Sequence, residues 1–314
     1  AFMRVALTGA SGFVGAPLLE RLLDDGHTVA ALAHRTPLAP RERLHRVQGR
    51  LDDPAALARL TEGADTVVHL AGVVAAADPG LFHRVNAEGT RRLAEAAARA
   101  GAGRLLLISS LAARAPELSA YAASKAAAEA ALAEVAAQGR APAWDALRPP
   151  AVYGPGDVQI LPFFRLLERG AALVPAPPAA RLSLIHVADL VSAIATWVAR
   201  GKPAGEIYEV ADGRENGYTW PEVIETGARV LSVRPRLVRP PAGLLHGAAW
   251  SLRLWARLRG GTPFLTPDKL REIRHPDWVC RDRRFEDTLA WRARQDLESG
   301  LRGTLDWYRA QGWI

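Results

Sequence analysis

The sequence predicts an α/β fold: a doubly wound parallel sheet followed by a smaller, irregular C-terminal domain. Three observations predict it. Short apolar runs alternate with helical patterns through the first half of the chain. Those runs are apolar at successive positions, which marks strands buried on both faces of a parallel sheet covered by helices. After Pro149 the texture changes. Prolines cluster at Pro175, Pro177 and Pro178 and again at Pro235, Pro240 and Pro241, and most of the tryptophans lie in this half.

Each element follows in order. Residues 4–7 read as a first strand and 17–25 as a helix stopped by Gly26. Residues 28–33 form a second strand, 46–48 a short third, and 54–61 a helix. A fourth strand over 66–70 precedes a long helix over 82–100. A fifth strand over 104–108 leads into a helix over 120–137, whose many alanines are the best helix formers. Residues 143–147 make a sixth strand, and 183–200 return to the first domain. The expected division is 1–157 with about 183–212 for the first domain, and 158–182 with 213–314 for the second.

Composition narrows the function classes. The 314 residues are 49% hydrophobic and 23% charged, which is ample for a buried core and excludes a wholly disordered chain. The net charge of +7 favours anionic partners, but the arginines are dispersed and no nucleic-acid motif accompanies them. Cys280 is the lone cysteine, so an intrachain disulfide is excluded and a reducing, cytoplasmic setting is expected. Ala1-Phe2 reads as an addition before a native start at Met3, and the strand that follows leaves no room for a signal peptide. No apolar run reaches the ~18 residues of a membrane span. The stretch 244–258 is interrupted by His246, Arg253 and Arg257. It reads as an amphipathic helix that either packs on its own domain or touches a membrane surface.

The first strand runs into Thr8-Gly9-Ala10-Ser11-Gly12-Phe13-Val14-Gly15, which opens a helix. Gly9 and Gly12 permit a tight turn whose backbone approaches a pyrophosphate, and Gly15 permits close packing of helix on sheet. The amides of the helix N-terminus face the phosphates. Ser11, Phe13 and Val14 complete the expected cofactor contacts of this turn. A glycine triplet alone also suits an unliganded strand-helix turn; here strand, turn and helix occur together.

With the spacing G-x-x-G-x-x-G the chain resembles the extended short-chain dehydrogenases/reductases, the NAD(P)-dependent epimerase/dehydratase superfamily. Other matching segments are His69-Leu70-Ala71-Gly72, Val85-Asn86-Ala87-Glu88-Gly89-Thr90, Leu147-Arg148-Pro149-Pro150-Ala151-Val152-Tyr153-Gly154-Pro155-Gly156-Asp157, and Ile185-His186-Val187-Ala188-Asp189-Leu190. The resemblance implies a Rossmann-type sheet with a C-terminal substrate-binding domain. It adds Leu51, Leu70, Ala71, Gly72, Ser109, Pro149, Ala151 and Val152 to the expected cofactor contacts. Arg50 stands where the family usually has an acidic residue.

Tyr121 and Lys125 are four apart on the helix 120–137 and share one face. A nearby ammonium favours a phenolate, so Tyr121 can give or take a proton at a carbonyl or alcohol. The resemblance implies that Lys125 also holds the nicotinamide ribose, and that Ser110 is the catalytic serine with Ser109 as the alternative. Asn86 is a proton relay or a buried structural group. The stretch Ala31-Leu32-Ala33-His34-Arg35-Thr36 carries no carboxylate for a ribose 2′-hydroxyl, and Arg35, beside His34, would pair with a 2′-phosphate. NADP is therefore expected, with NAD as the alternative.

Leu111-Ala112 follows Ser110 where sugar 4,6-dehydratases carry an Asp-Glu pair, and Ala151 stands where sugar-nucleotide epimerases commonly carry Asn. In these respects the chain is similar to the 3β-hydroxysteroid dehydrogenase and dihydroflavonol reductase branch. That implies an oxidoreductase interconverting a carbonyl and a secondary alcohol by hydride transfer, on a small-molecule substrate that a hydrophobic or cyclic body would suit. Tyr153, Phe163 and His186 are candidate substrate contacts, though each also reads as packing. A nucleotide-sugar epimerase retaining NAD, and a non-catalytic cofactor-binding scaffold, are the alternatives. The family also implies a homodimer and no metal.

Overall fold

The computed structural model describes residues 2–76, 78–259 and 265–314. The chain begins β1 (Arg4–Thr8), α1 (Gly15–Asp24), β2 (Thr28–Ala33), β3 (Leu44–Gln48), α2 (Pro54–Thr61), β4 (Thr66–His69), α3 (Pro79–Phe82). A π-helical turn over His83–Glu88 joins α3 to α4 (Gly89–Arg99). There follow β5 (Arg104–Ile108), α5 (Ala120–Ala137), β6 (Ala143–Arg148), β7 (Ala151–Tyr153), α6 (Leu161–Glu168), β8 (Ala171–Leu173), β9 (Arg181–Leu182) and β10 (Leu184–His186). The remainder is α7 (Val187–Arg200), β11 (Glu206–Glu209), β12 (Tyr218–Thr219), α8 (Trp220–Leu231), β13 (Arg236–Val238), α9 (Ala242–Arg259), α10 (Pro267–Arg274), β14 (Asp277–Trp278), α11 (Arg284–Leu289) and α12 (Leu297–Ala310).

Backbone contacts divide the chain into two units. The first comprises Ala1–Pro149, Val191–Val210 and Asp282–Trp291, and the second the remainder. The first holds a seven-stranded sheet in the order β11-β6-β5-β4-β1-β2-β3, with every neighbouring pair parallel. This is the Rossmann-type doubly wound architecture. The strand order reverses between β1 and β4, so the segments that leave their carboxyl ends diverge and open a crevice there. One face of the sheet packs Ala6, Val67, Leu105 and Ala146 against Leu57, Leu93 and Leu132 of α2, α4 and α5.

The edge strand β11 was not expected. Its sequence Glu206-Ile207-Tyr208-Glu209 has no apolar run. It is seated by Asp145 of β6, a buried carboxylate that accepts from Trp197 Nε1 at 2.8 Å, Ala204 N at 3.1 Å and Glu206 N at 3.0 Å. Arg104 closes the same corner, donating to the Val198 and Gly201 carbonyls at the end of α7, where a cation also suits the helix dipole.

The unit boundaries differ from the expected domains. Residues 150–157 fall in the second unit because β7 leaves the central sheet and pairs with β10, Val152 opposite Ile185. The return to the first unit starts at Val191. Residues 282–291 also join it, since Phe285 packs edge-on against Tyr208 and Trp291. The expected helix over 82–100 is present without a break as far as Arg99, beginning earlier at Pro79 and winding as a π-helix over His83–Glu88. The second unit gathers Phe164, Leu167, Tyr218, Ile224, Leu301 and Tyr308 into its own core.

Candidate functional site

The turn after β1 is shaped by its glycines. Gly9 has φ +76°, and a methyl group there would sit 2.8 Å from the Ala71 amide nitrogen. Gly12 N donates to Gly9 O at 3.0 Å. A methyl group on Gly15 would overlap the Gly9 carbonyl oxygen. α1 begins without a side-chain cap; Ala16 N is bonded to Gly12 O at 2.9 Å and Pro17 has no N–H, so it is the positive end of the helix dipole that favours an anion here. Ser11 and Gly12 are exposed, while Phe13 and Val14 are half-buried beside them. This cradle, which a Cβ would fill, fits a dinucleotide pyrophosphate.

A buried hydrogen-bond chain ties that turn to the segment after β4. Ala71 N donates to Thr8 Oγ1 at 3.0 Å, Thr8 Oγ1 lies 2.6 Å from His69 Nδ1, and His69 Nε2 lies 3.1 Å from Thr90 Oγ1. Thr90 in turn donates to the Asn86 carbonyl at 2.6 Å. With the Thr90 proton so placed, His69 donates from Nε2 and accepts at Nδ1, and its neutral form is the one that fits. Burial, and then the positive charge of Lys125, push its pKa down to about 3. The expected contacts Leu70, Ala71 and Gly72 ride on this chain.

α5 supplies the predicted pair. Ser119 caps it, accepting from Ala122 N at 2.9 Å. Its small alanines let it lie deep enough to bury Ser124, Lys125 and Glu129. The Lys125 ammonium is 6.0 Å from the Tyr121 ring centroid and donates to Ile108 O at 3.1 Å. Burial pulls its pKa down to about 8, with Glu129 opposing the fall. Tyr121 is half-buried, its ring edge-on to Phe82 at 6.2 Å. A methyl group on Gly72 would lie 3.0 Å from Asn86 Oδ1 and 3.5 Å from Lys125 Nζ, so the β4 segment, the π-turn and α5 meet here.

The two serines at the end of β5 part company. Ser109 is buried and its hydroxyl donates to Glu129 Oε1 at 2.5 Å. Glu129 also receives Arg148 Nε at 2.9 Å and Nη2 at 2.5 Å. Ser110 is half-buried, and its Oγ accepts from Ala112 N at 3.2 Å, which leaves its O–H to donate. Asn86 brackets Val73, accepting from its amide at 2.8 Å and donating to its carbonyl at 3.0 Å, and donates to Ser124 at 2.9 Å. Those contacts are structural. Both of its amide protons are spent within the fold.

His34 and Arg35 are exposed just past β2, where Gln48 donates to His34 O at 2.7 Å. Leu51 is half-buried against Gly89, and Arg50 pairs with Asp52 at 3.0 Å. Pro149 accepts from Leu111 N at 2.8 Å. The other expected residues lie in the second unit. Ala151 and Val152 belong to β7. Phe163 packs edge-on against Phe164 and Trp220. His186 is buried, accepts at Nδ1 from Ala188 N at 3.2 Å, and meets the Tyr153 ring at 5.3 Å. Packing is therefore a sufficient account of Phe163 and His186. Tyr153 is buried with no partner for its hydroxyl among the described residues, and burial raises its pKa. Sequence reasoning missed the roles of Thr8, Thr90, Glu129 and Arg148. Only the placement of Glu129 four residues after Lys125, on the same buried face, could have signalled one of them.

Glycine cradle, buried lysine and helical tyrosine define a nicotinamide-dependent enzyme of the extended short-chain dehydrogenase/reductase class. Residues 5–211 match the model of the NAD dependent epimerase/dehydratase family, and the chain belongs to that family. Along its length it is 38% identical to a ceramide reductase of Caulobacter vibrioides (strain NA1000 / CB15N), over 99% of this chain and 96% of that one. It is 33% identical to a 2-alkyl-3-oxoalkanoate reductase of Stenotrophomonas maltophilia (strain K279a), over 53% of this chain and 56% of the other. The fold superposes on MoeE5 in complex with UDP-glucuronic acid and NAD with a TM-score of 0.76 at 25% identity, covering 98% of this chain and 99% of that one. The chain is an NAD(P)-dependent dehydrogenase/reductase of the extended type.

Proposed function

We propose that the protein reduces the carbonyl of a lipophilic, ceramide-type substrate to a secondary alcohol with NADPH. The observation that carries the reading is Lys125, a buried ammonium held on the same face of α5 as Tyr121. A bound reduced nicotinamide supplies the hydride to the carbonyl carbon. Tyr121 delivers its phenolic proton to the carbonyl oxygen, so that C=O becomes CH–OH. The Lys125 charge stabilises the phenolate left behind, and its ammonium can also hold the nicotinamide ribose. Ser110 turns its O–H toward the substrate oxygen and orients it. Ser109 is withdrawn from that role by Glu129.

The preference for NADP rests on residues 31–36, where exposed Arg35 follows β2 and no carboxylate would repel a 2′-phosphate. The ceramide-type substrate rests on likeness to a reductase of that name along 99% of the chain. Turnover of NADPH with a detergent-dispersed keto-lipid tests the proposal. Tyr121→Phe is expected to lower kcat by about 10²–10⁴-fold while NADPH still binds. A full complement of NAD carried through purification, with no NADPH turnover, would overturn it in favour of an epimerase.

A further inference from the structure

Helix α9 turns its apolar side outward. Leu244, Trp250, Leu252, Leu254 and Trp255 are 42–66% exposed. At helical spacing they fall on one broad arc. The opposite side carries Ala249, fully buried, and half-buried Leu245, His246 and Arg253. A surface helix of a globular protein normally has the reverse arrangement. The Arg253 guanidinium lies 5.3 Å from the Trp250 ring, and a shallow hollow of about 230 Å³ opens among Trp250, Ser251, Arg253 and Leu254.

The charge along this segment of the chain is one-sided. Residues 226–267 contain no Asp or Glu and seven arginines. Arg229 faces Glu298 at 3.4 Å. Arg234, Arg236 and Arg239 immediately precede α9, and β13 among them also exposes Leu237 and Val238.

We propose that α9 seats in the interface of an anionic lipid bilayer. Indole rings favour the headgroup boundary, where one end is apolar and the other wet. Arginine pairs bidentately with phosphate while its stem lies along apolar surface. An anionic leaflet attracts a basic segment within a Debye length. A second copy of this chain fits less well, because two arginine-rich faces repel. The inference rests on α9 and its flanks alone and stands whether or not the reductase reading does.

The test is co-sedimentation of the full-length protein with phosphatidylcholine vesicles, with and without phosphatidylglycerol, read together with tryptophan emission. Binding at least about tenfold stronger to the anionic vesicles is expected, weakening as salt is raised. Trp250→Ser with Leu254→Ser should reduce it by about tenfold or more with an unchanged thermal melt. Arg234→Gln with Arg236→Gln and Arg239→Gln should remove the preference for anionic lipid, and this variant reads the proposal should the first fail to fold. No binding to anionic vesicles, or equal binding by both variants, would overturn it. So would a concentration-dependent dimer that Trp250→Ser abolishes, which would assign the face to a second copy.

Discussion

Lys125 carries a thermodynamic signature as well as a chemical one. Its ordinary pKa of 10.5 falls to about 8 because burial penalises the ammonium. Between those values the unfolded chain holds a proton that the folded chain has released. Stability of the ligand-free protein therefore rises with pH through this window, and is lowest below about 8, where folding must bury a charge. At about 1.36 kcal/mol per pKa unit the gain is about 3 kcal/mol. Lys125→Met should lack this rise, and denaturant melts of both proteins between pH 7 and pH 10 (roughly the span of the two pKa values) would measure the difference. Parallel pH curves for the two proteins would refute it. The neighbouring Glu129 shows why such a site is hard to read from residues alone. In Ala126-Ala127-Ala128-Glu129-Ala130 a glutamate is simply a good helix former. Only the fold reveals that it neutralises Arg148 and holds Ser109 out of reach.

At the scale of elements, the turn between β1 and α1 leaves no room for a side chain at Gly9 or Gly15. A Cβ at residue 15 would collide with the Gly9 backbone, which cannot give as a flexible side chain would. Gly15→Ala is expected to weaken NADPH binding by tenfold or more (roughly 1.4 kcal/mol) and to lower the melting temperature. Fluorescence titration checks the first effect and a thermal scan the second; unaltered affinity would count against the cradle. This turn was legible because glycine spacing, strand and helix start lie together in fifteen residues or so. The π-turn over His83–Glu88 was not. One extra residue per turn barely disturbs the hydrophobic period, yet it aims Asn86 at Val73 and Ser124. β11 escaped for another reason: an edge strand with polar ends carries no apolar run, and the carboxylate that fixes it, Asp145, sits in a strand that reads as uniformly buried.

For the whole molecule, two units with separate cores predict a particular response to ligand. The glycine turn, residues 70–72 and the Tyr121/Lys125 pair all belong to the first unit. NADPH at about 100 times its Kd should stabilise that unit by about 2.7 kcal/mol. Calorimetry should show the first unit's transition moving upward with NADPH. A shift confined to the second unit's transition would contradict the placement of the cofactor.

The chain of hydrogen bonds from Ala71 through Thr8, His69 and Thr90 to the Asn86 carbonyl has a single workable proton order. Each donor has one acceptor and no member has a second choice. Such a chain behaves as a splint: it sets the loop after β4 against the glycine turn before any ligand arrives. Ligand capture then loses little entropy to loop ordering, and the cost that other pockets meet on binding has already been met during folding.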